Sequence, residues 1–167
     1  DLSKEKYVEL EAIGKVLTKV KFPKIILDSD ALISVPVMKL HIEGILGCSL
    51  KNLFGCIPAP RHHFHLKLGK VIADVFEIAK ASFTLIDGTV GIEDGGPIIG
   101  KPKVADVIIG SGDLVSADVT ACKIMDINPD SVGYITECAE RGLGKINGFD
   151  VKGDVISVMP FKQGELS

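Results

Sequence analysis

The spacing of apolar positions along the chain switches repeatedly between a strand-like and a helical pattern. Short runs rich in Val, Ile and Leu predict strands at residues 7–10, 15–21, 31–35, 82–86, 105–109 and 155–158. Helical spacing or helix-start signals predict helices at residues 23–27, 49–57, 66–80, 113–125 and 128–142. The helix at 66–80 has the clearest pattern, with an apolar face that includes Leu68, Val71 and Val75.

This alternation of strands and helices through the middle of the chain predicts the α/β class. We expect a single domain over residues 1–167, built on a mostly parallel sheet with flanking helices. The chain opens directly into strand-like sequence, so residues 1–21 are expected to be the remnant of a preceding strand–helix portion truncated from the N-terminus. Residues 91–100 are rich in glycine and predict a loop with the composition of a lid.

The amino-acid composition argues against nucleic-acid-binding and membrane-spanning proteins. Hydrophobic residues make up 46% of the chain, only 5% of residues are aromatic and Trp is absent, so we expect an aliphatic core. A net charge of −3 argues against nucleic-acid binding, and no apolar run approaches the ~18 residues of a membrane span. The chain is therefore predicted to be soluble and cytoplasmic.

The four cysteines show no CxxC spacing, which argues against an iron–sulfur cluster or a zinc ribbon within this chain. A disulfide framework is not expected in an aliphatic-cored chain of this size. We therefore predict four reduced cysteines that pack in the core.

Charge is distributed unevenly, and the histidines are clustered. Residues 36–70 contain five Lys or Arg and one Glu, whereas residues 71–120 contain eight Asp or Glu and three Lys. All four histidines fall within residues 41–65, three of them within 61–65. A basic segment facing an acidic one suits a small anionic ligand.

Polar side chains follow three of the predicted strands. Lys39 and His41 come shortly after the strand at 31–35, Asp87 follows the next strand, and Ser111 and Asp113 follow the third. Ligands of open α/β sheets bind at the carboxyl ends of the strands, so parallel neighbouring strands would bring these side chains to one rim. We expect Lys39, His41 and Asp87 to share one cleft with Lys51.

Several side chains are candidates for roles at this site. The candidates for acid–base chemistry are His41, His65, Asp87 and Asp113. The candidates for binding a ligand are Lys39, Lys51, Asn52, Arg61, Ser111 and Asp118. His62 lies three residues before His65, and with His41 the two would supply three nitrogen ligands to a metal ion, or two with a carboxylate.

Several of these segments together resemble a prokaryotic family known as the "domain of unknown function 362" family. The matching residues are 33–41, 50–55, 61, 65, 87–88, 95–97, 111–113, 117–118 and 142–144. The family usually has Thr where this chain has Leu40. Many members carry an attached ferredoxin-like cysteine module, which this chain lacks. The resemblance implies an iron–sulfur-associated setting in redox or cofactor metabolism and a ferredoxin-like module or protein as a partner, but it names no reaction and no cofactor.

Three functional hypotheses follow from these observations. The first is a domain that binds a small anionic metabolite or cofactor between a basic and an acidic wall. The second is a metal-dependent enzyme that uses His41, His62 and His65. The third is a non-catalytic domain that docks a ferredoxin-like partner, and an exposed apolar patch would favour it.

Overall fold

The computed structural model describes residues 2–11, 14–41, 45–94, 100–155 and 157–162, apart from the side chains of Ser3 and His62. The strands are β1 (Tyr7–Glu11), β2 (Lys19–Pro23), β3 (Ile33–Ser34), β4 (Val37–His41), β5 (Ile45–Gly47), β6 (Phe83–Glu93) and β7 (Lys101–Ser111). The α-helices are α1 (Lys24–Leu27), α2 (Ser49–Leu53), α3 (Leu68–Ala79), α4 (Leu114–Met125) and α5 (Gly133–Glu140). Short 3₁₀ turns are present at Leu2–Lys4, Phe54–Cys56, His62–Lys67 and Pro129–Ser131.

Strand β6 is the centre of a five-stranded sheet. Parallel pairings join it to β3 and β4, and antiparallel pairings add β5 beside β4 and β7 beside β6. A separate antiparallel pair is formed by β1 and β2. The α/β class, with helices packed on a sheet whose central pairings are parallel, is thus confirmed.

Most of the predicted elements are present, but strand β5 was not predicted, the predicted strand at 15–21 begins only at Lys19, and three further differences concern Pro36, the glycine-rich loop and the last strand. Pro36 does not end the first sheet strand but interrupts it, because β4 continues directly beyond it. The predicted loop at 91–100 is shorter, since β6 reaches Glu93 and β7 begins at Lys101, and residues 95–99 lie outside the described residues. The described residues of the predicted strand at 155–158 are not in a strand.

The core is aliphatic, as the composition predicts, and it lies between one face of the sheet and the helices. Helix α3 buries its apolar stripe, and α4 is buried along almost its whole length. The aromatic side chains buried most completely are Phe22 and Tyr134, and the Tyr134 hydroxyl donates a hydrogen bond to the Leu46 carbonyl. This contact ties α5 to the short edge strand β5.

The opposite face of the sheet is exposed. Side chains alternate along β4, with Met38 and Leu40 buried and Val37 40% exposed. The other large apolar side chains exposed on strands of this sheet or beside them are Ile33, Val35, Phe83, Leu85, Val90, Val104 and Ile108. Strands with parallel partners are usually covered on both faces, so an open apolar face of this size is unusual.

A buried carboxylate on α3 joins three parts of the chain. Asp74 accepts hydrogen bonds from the backbone N–H groups of Lys15, Val16 and Leu17, and from Arg141 Nη1 at 2.6 Å. Burial disfavours the charged form, but the bonds from Leu17 and Arg141, followed by those from Val16 and Lys15, outweigh it and lower the pKa of Asp74. The Asp74 carboxylate also fills the space above Gly14, where a Cβ atom would overlap it.

Removing this carboxylate should destabilise the fold strongly. We expect Asp74→Ala to lower the free energy of unfolding by about 3–5 kcal/mol, because the buried Arg141 guanidinium would lose an acceptor. Urea-induced unfolding at neutral pH measures this loss. The control is Asp28→Ala, which deletes an exposed pair with Lys24 (2.6 Å) and should cost less than about 1 kcal/mol. Equal losses in the two variants would contradict the central role of Asp74.

Candidate functional site

A cleft of about 220 Å³ lies where β4, β5 and α2 meet. Its lining includes Lys39, His41, Lys51 and Asn52, four of the residues that the sequence singled out. The other lining residues are Pro36, Val37, Gly47, Cys48 and Gly55. Nine described residues thus line the cleft, and none of them is acidic.

Strand alternation and a glycine position the two side chains from β4. Lys39 and His41 project from the face opposite to the buried Met38 and Leu40. Lys39 is in register with Gly47 on β5, and a Cβ atom on Gly47 would lie 2.8 Å from Lys39 Cγ. The missing side chain at Gly47 therefore makes room for the lysine stem.

Helix α2 brings an ammonium group to the histidine. Lys51 Nζ lies 3.0 Å from His41 Nε2. An ammonium group has no acceptor, so in this hydrogen bond Nζ donates and Nε2 accepts. Lys51 Nζ also lies 5.8 Å from the centroid of the Phe54 ring, within the range of a cation–π contact.

A chain of hydrogen bonds connects the cleft to the core. Asn52 Nδ2 donates to Ser34 Oγ at 3.1 Å, and Ser34 Oγ donates to the Ser49 carbonyl at 3.3 Å. Thr84 Oγ1 donates to the Ser34 carbonyl at 3.0 Å and lies 2.8 Å from Ser49 Oγ. These bonds fix the orientation of Asn52 and tie α2 to β3 and β6.

Asp118, on α4, anchors the beginning of α2. Its two oxygens accept the backbone N–H groups of Ser49 at 2.8 Å and Leu50 at 3.0 Å. The carboxyl is fully buried, and this burial raises the pKa of Asp118 to about 7 against the opposing effect of the two backbone hydrogen bonds. Asp118 therefore supports the cleft from behind and is not among the residues that line it.

The other predicted acidic residues are also outside the cleft lining. Asp87 is in register with the lining residue Val37, but its Oδ1 accepts from the backbone N–H and hydroxyl of Thr89. Asp113 caps α4 by accepting from the backbone N–H of Ser116 at 3.0 Å, and Ser111 Oγ accepts from the backbone N–H of Asp113.

The single rim of strand ends that the sequence suggested does not form. Strand β7 is antiparallel to β6, so Ser111 lies opposite Thr84, near the beginning of β6. Lys39 lies opposite Ile92, near its end. Asp113 and Asp118 accept backbone hydrogen bonds at the beginnings of α4 and α2. The acidic wall that was expected to face the basic side chains is therefore not formed at the cleft.

His65 and Arg61 lie near Phe54, beyond the cleft lining. Arg61 Nη1 donates to the Phe54 carbonyl at 3.3 Å, and its Cζ lies 5.9 Å from the ring centroid. The ring of His65 is 6.2 Å from the same ring, and His65 lines a different cavity. The side chain of His62 lies outside the described residues. Among the described residues, no three His, Cys, Asp or Glu side chains form a group that would hold a metal ion.

All four cysteines are buried and have free thiols. Burial raises the pKa of Cys48 well above its usual value and that of Cys56 to about 11. Cys48 is the cysteine that lines the cleft, and a thiol with so high a pKa is not a nucleophile at neutral pH.

The sequence interpretation overlooked three features of this region. Val37 and Gly47 line the cleft. They could have been found by continuing the strand pattern past Pro36 into β4, but Pro36 was interpreted as the end of the strand. The buried carboxylate of Asp74 was also overlooked. Its signal was available, since helical spacing places it beside Val71 and Val75 on the apolar face of α3.

Comparison with known proteins gives a family but no activity. A family model described as "Domain of unknown function (DUF362)" matches residues 1–123, which is most of the chain. The chain belongs to this family. It is 25% identical over 126 residues to the thylakoid-associated protein sll1697 of Synechocystis sp. (strain ATCC 27184 / PCC 6803 / Kazusa).

The DUF362 match runs from residue 1 to residue 123, near the end of α4, and it therefore includes every residue that lines the cleft. The match to the Synechocystis protein covers 71% of this chain but only 39% of that relative. No solved structure gives a significant match. None of the described helices is long and apolar enough to cross a membrane.

The raised pKa of Asp118 predicts that the free energy of unfolding depends on pH. A carboxyl whose pKa is about 7 in the folded protein and about 4 in the unfolded chain favours folding at low pH. This contribution is complete below about pH 4 and is lost as the pH rises through about 7, a change of roughly 4 kcal/mol. We expect Asp118→Asn, which cannot ionise, to lack this loss.

The measurement is the free energy of unfolding of wild type and Asp118→Asn between about pH 4.5 and pH 7.5. Asp118→Asn should have the lower free energy of unfolding at the acidic end. The free energy of unfolding of wild type should then decrease relative to that of Asp118→Asn as the pH rises. Asp154→Asn, at an exposed position, is the control and should track wild type. A constant difference between wild type and Asp118→Asn across the range would contradict the raised pKa.

Proposed function

We propose that the cleft binds a small anionic metabolite or cofactor through Lys39, His41 and Lys51. The observation that carries this proposal is the convergence of two lysines, a histidine and an asparagine in a cavity whose described lining lacks a carboxylate. The whole chain has a net charge of −3, so the positive cleft is a local feature. A cavity of about 220 Å³ suits a phosphate- or carboxylate-sized group.

The contact between Lys51 and His41 supports an anion as the ligand. The Lys51 ammonium group lies 3.0 Å from His41 Nε2, so two side chains that can carry positive charge adjoin each other in the cleft. An incoming anion would offer Lys51 a charge-assisted hydrogen bond, and the imidazole would gain stability as an imidazolium beside the new negative charge. His41 would then act as a proton-accepting contact, which is the acid–base role that the sequence suggested.

The setting of this ligand is a further part of the proposal. The DUF362 resemblance points to redox or cofactor metabolism, in which phosphorylated and carboxylated small molecules are common ligands. We propose a cytoplasmic location for the chain. The name of the Synechocystis relative raises the alternative of a protein associated with a photosynthetic membrane from outside.

A second candidate function, the docking of a ferredoxin-like partner, is favoured by the exposed sheet face. Val104 is 68% exposed and Ile108 is 63% exposed, and both lie on β7 at the edge of the sheet. Hydrogen exchange with and without an added ferredoxin tests this function. A partner on this face should slow exchange in β7, whereas unchanged β7 exchange would exclude docking there.

Replacing Lys51 by Met tests the proposed ligand site, because Met keeps the apolar stem and removes the charge. Losing one charge-assisted contact of about 1.5–3 kcal/mol should weaken anion binding about tenfold to a hundredfold. Titrations of sulfate, phosphate and small carboxylates, followed by calorimetry and by thermal unfolding, measure the change.

The control variant is Lys80→Met, at the C-terminal cap of α3 and outside the cleft lining. Lys80→Met should bind anions as wild type does, and both variants should unfold like wild type when no anion is present. If Lys51→Met responds to anions as wild type does, Lys51 is not a ligand and the proposed function is wrong.

A further inference from the structure

The outer edge of β7 has no strand partner among the described residues. Strand β7 pairs with one edge of β6, and β3 and β4 pair with the other edge of β6. Within the described part of the chain, residues 107–111 form no backbone–backbone hydrogen bond outside the pairing with β6. The unpaired N–H and C=O groups of an edge strand are a template for another strand.

The two halves of this edge differ in how well they are protected from pairing. The first half contains Lys101, Pro102 and Lys103, and Asp106 has a left-handed backbone (φ 51°) at a bulge where two residues of β7 oppose one of β6. Charged residues, proline and bulges are the features by which proteins block edge strands. Residues 107–111, with the sequence Val-Ile-Ile-Gly-Ser, contain none of them. The second half of the edge is therefore open to pairing.

A cavity of about 570 Å³ follows this open half. Seven consecutive residues of β7, 105–111, line it. Successive side chains of a strand point to opposite faces of the sheet, so a cavity lined by all seven residues runs along the edge of the strand and not over one face. This is the space that the main chain of a further strand would occupy.

Helix α4 forms the floor of this edge cavity, and a loop forms its far wall. Ser116 and Thr120 on the floor donate their hydroxyl hydrogens to backbone carbonyls, so the floor offers small side chains that need no further acceptor. The far wall, residues 149–155, is not in a strand, and no hydrogen bond of the described residues joins it to β7. The chain after it is tied to α4, since the Met159 N–H donates to the Ile124 carbonyl at 2.6 Å. The loop is thus held away from the open edge.

The charged side chains of the edge cavity are mostly acidic. Asp106, Asp150 and Asp154 line it, and Lys152 is the single cation of its described lining. Apolar side chains such as Ile109 line the space between them. The lining therefore complements a chain with apolar side chains along its middle and basic side chains beside the aspartates.

We propose that residues 107–111 accept an extended peptide segment of a partner protein as an additional strand. Apolar side chains of this segment alternate along it and point to the floor on α4, and its Lys or Arg side chains lie beside the three aspartates. Main-chain hydrogen bonds to β7 supply the affinity, and the floor and the aspartates supply the selectivity. The edge cavity shares no lining residue with the basic cleft, so this inference is independent of the proposed anion site.

The experiment uses end-capped heptapeptides in which Val, Ile or Leu alternates with Thr and one Lys stands at each end. Wild type should bind a peptide of this series in calorimetric titrations, and hydrogen exchange at residues 107–111 should slow when the peptide is bound. Two further versions carry N-methyl groups on alternate backbone nitrogens, one version for each edge of the peptide. The version that lacks the N–H donors of the pairing edge should bind about tenfold more weakly or worse. Replacing both Lys by Glu should also weaken binding.

The protein variants compare two exposed apolar residues four positions apart on β7. Ile108→Lys adds a charge to the open half and repels a basic peptide, so it should weaken binding about tenfold or more. Val104→Lys is the matched control, because Val104 is similarly exposed but outside the cavity lining, and it should bind almost as wild type does. Asp106→Asn removes a charge and keeps a residue type that tolerates a left-handed backbone, so it should weaken the binding of the basic peptide only. Thermal unfolding without peptide checks that each variant is folded.

Slowed exchange at residues 107–111 that is lost in Ile108→Lys and kept in Val104→Lys supports the proposal. The proposal is wrong if no peptide of the series binds, or if neither N-methylated version nor Ile108→Lys weakens binding. It is also wrong if sedimentation velocity shows that the protein associates without peptide and this association slows exchange at residues 107–111. In that case the open edge pairs with a second copy of the chain.

Discussion

The buried carboxylate of Asp118 holds the cleft in place. Helix α2 has only five residues, and a helix of that length is not stable alone. Its N-cap, Cys48, supplies no side-chain hydrogen bond, so the first N–H groups of the helix depend on Asp118 from α4. Lys51 and Asn52 lie on this helix, and their positions relative to His41 therefore depend on a carboxyl that does not line the cleft. The desolvation of that carboxyl is offset in part by the two backbone N–H groups, as its opposing pKa effects indicate.

The four aspartates that the sequence or the fold brings near the site have backbone N–H groups as hydrogen-bond partners. Asp74, Asp113 and Asp118 each accept at least two backbone N–H groups, and Asp87 accepts one from Thr89. Carboxylates bound in this way are not available to neutralise lysines in the cleft. The chain has a net charge of −3, yet the described lining of the cleft contains two lysines and no carboxylate. The uneven distribution of charge along the sequence is consistent with a basic cleft. The expected acidic wall was wrong, because no acidic residue is among the described residues that line the cleft.

Strong local patterns in the sequence predicted helices correctly, a weak one at 155–158 did not give a strand, and the long-range strand pairings were not predicted. Apolar periodicity predicted α3, and the Asp113 cap marked the start of α4, because both depend on residues within a few positions of each other. The gathering of Lys39, His41, Lys51 and Asn52 was also predictable, since short connections link β4 to α2. The antiparallel pairing of β7 with β6 was not, because strand direction is decided by contacts between distant residues. That single pairing removed Ser111 and Asp113 from the expected site.

The open face of the sheet and the basic cleft meet at Val37, which is 40% exposed and also lines the cleft. Lys39 and His41 project from this same face, two and four residues further along β4. Under the proposed docking function, a partner that covered Val37 would also contact a residue of the cleft lining. Exclusion of water there would lower the local dielectric and strengthen the contacts of the lysines with an anion. Anion affinity and the covering of the sheet would then be thermodynamically linked, and each would increase the other by the same factor.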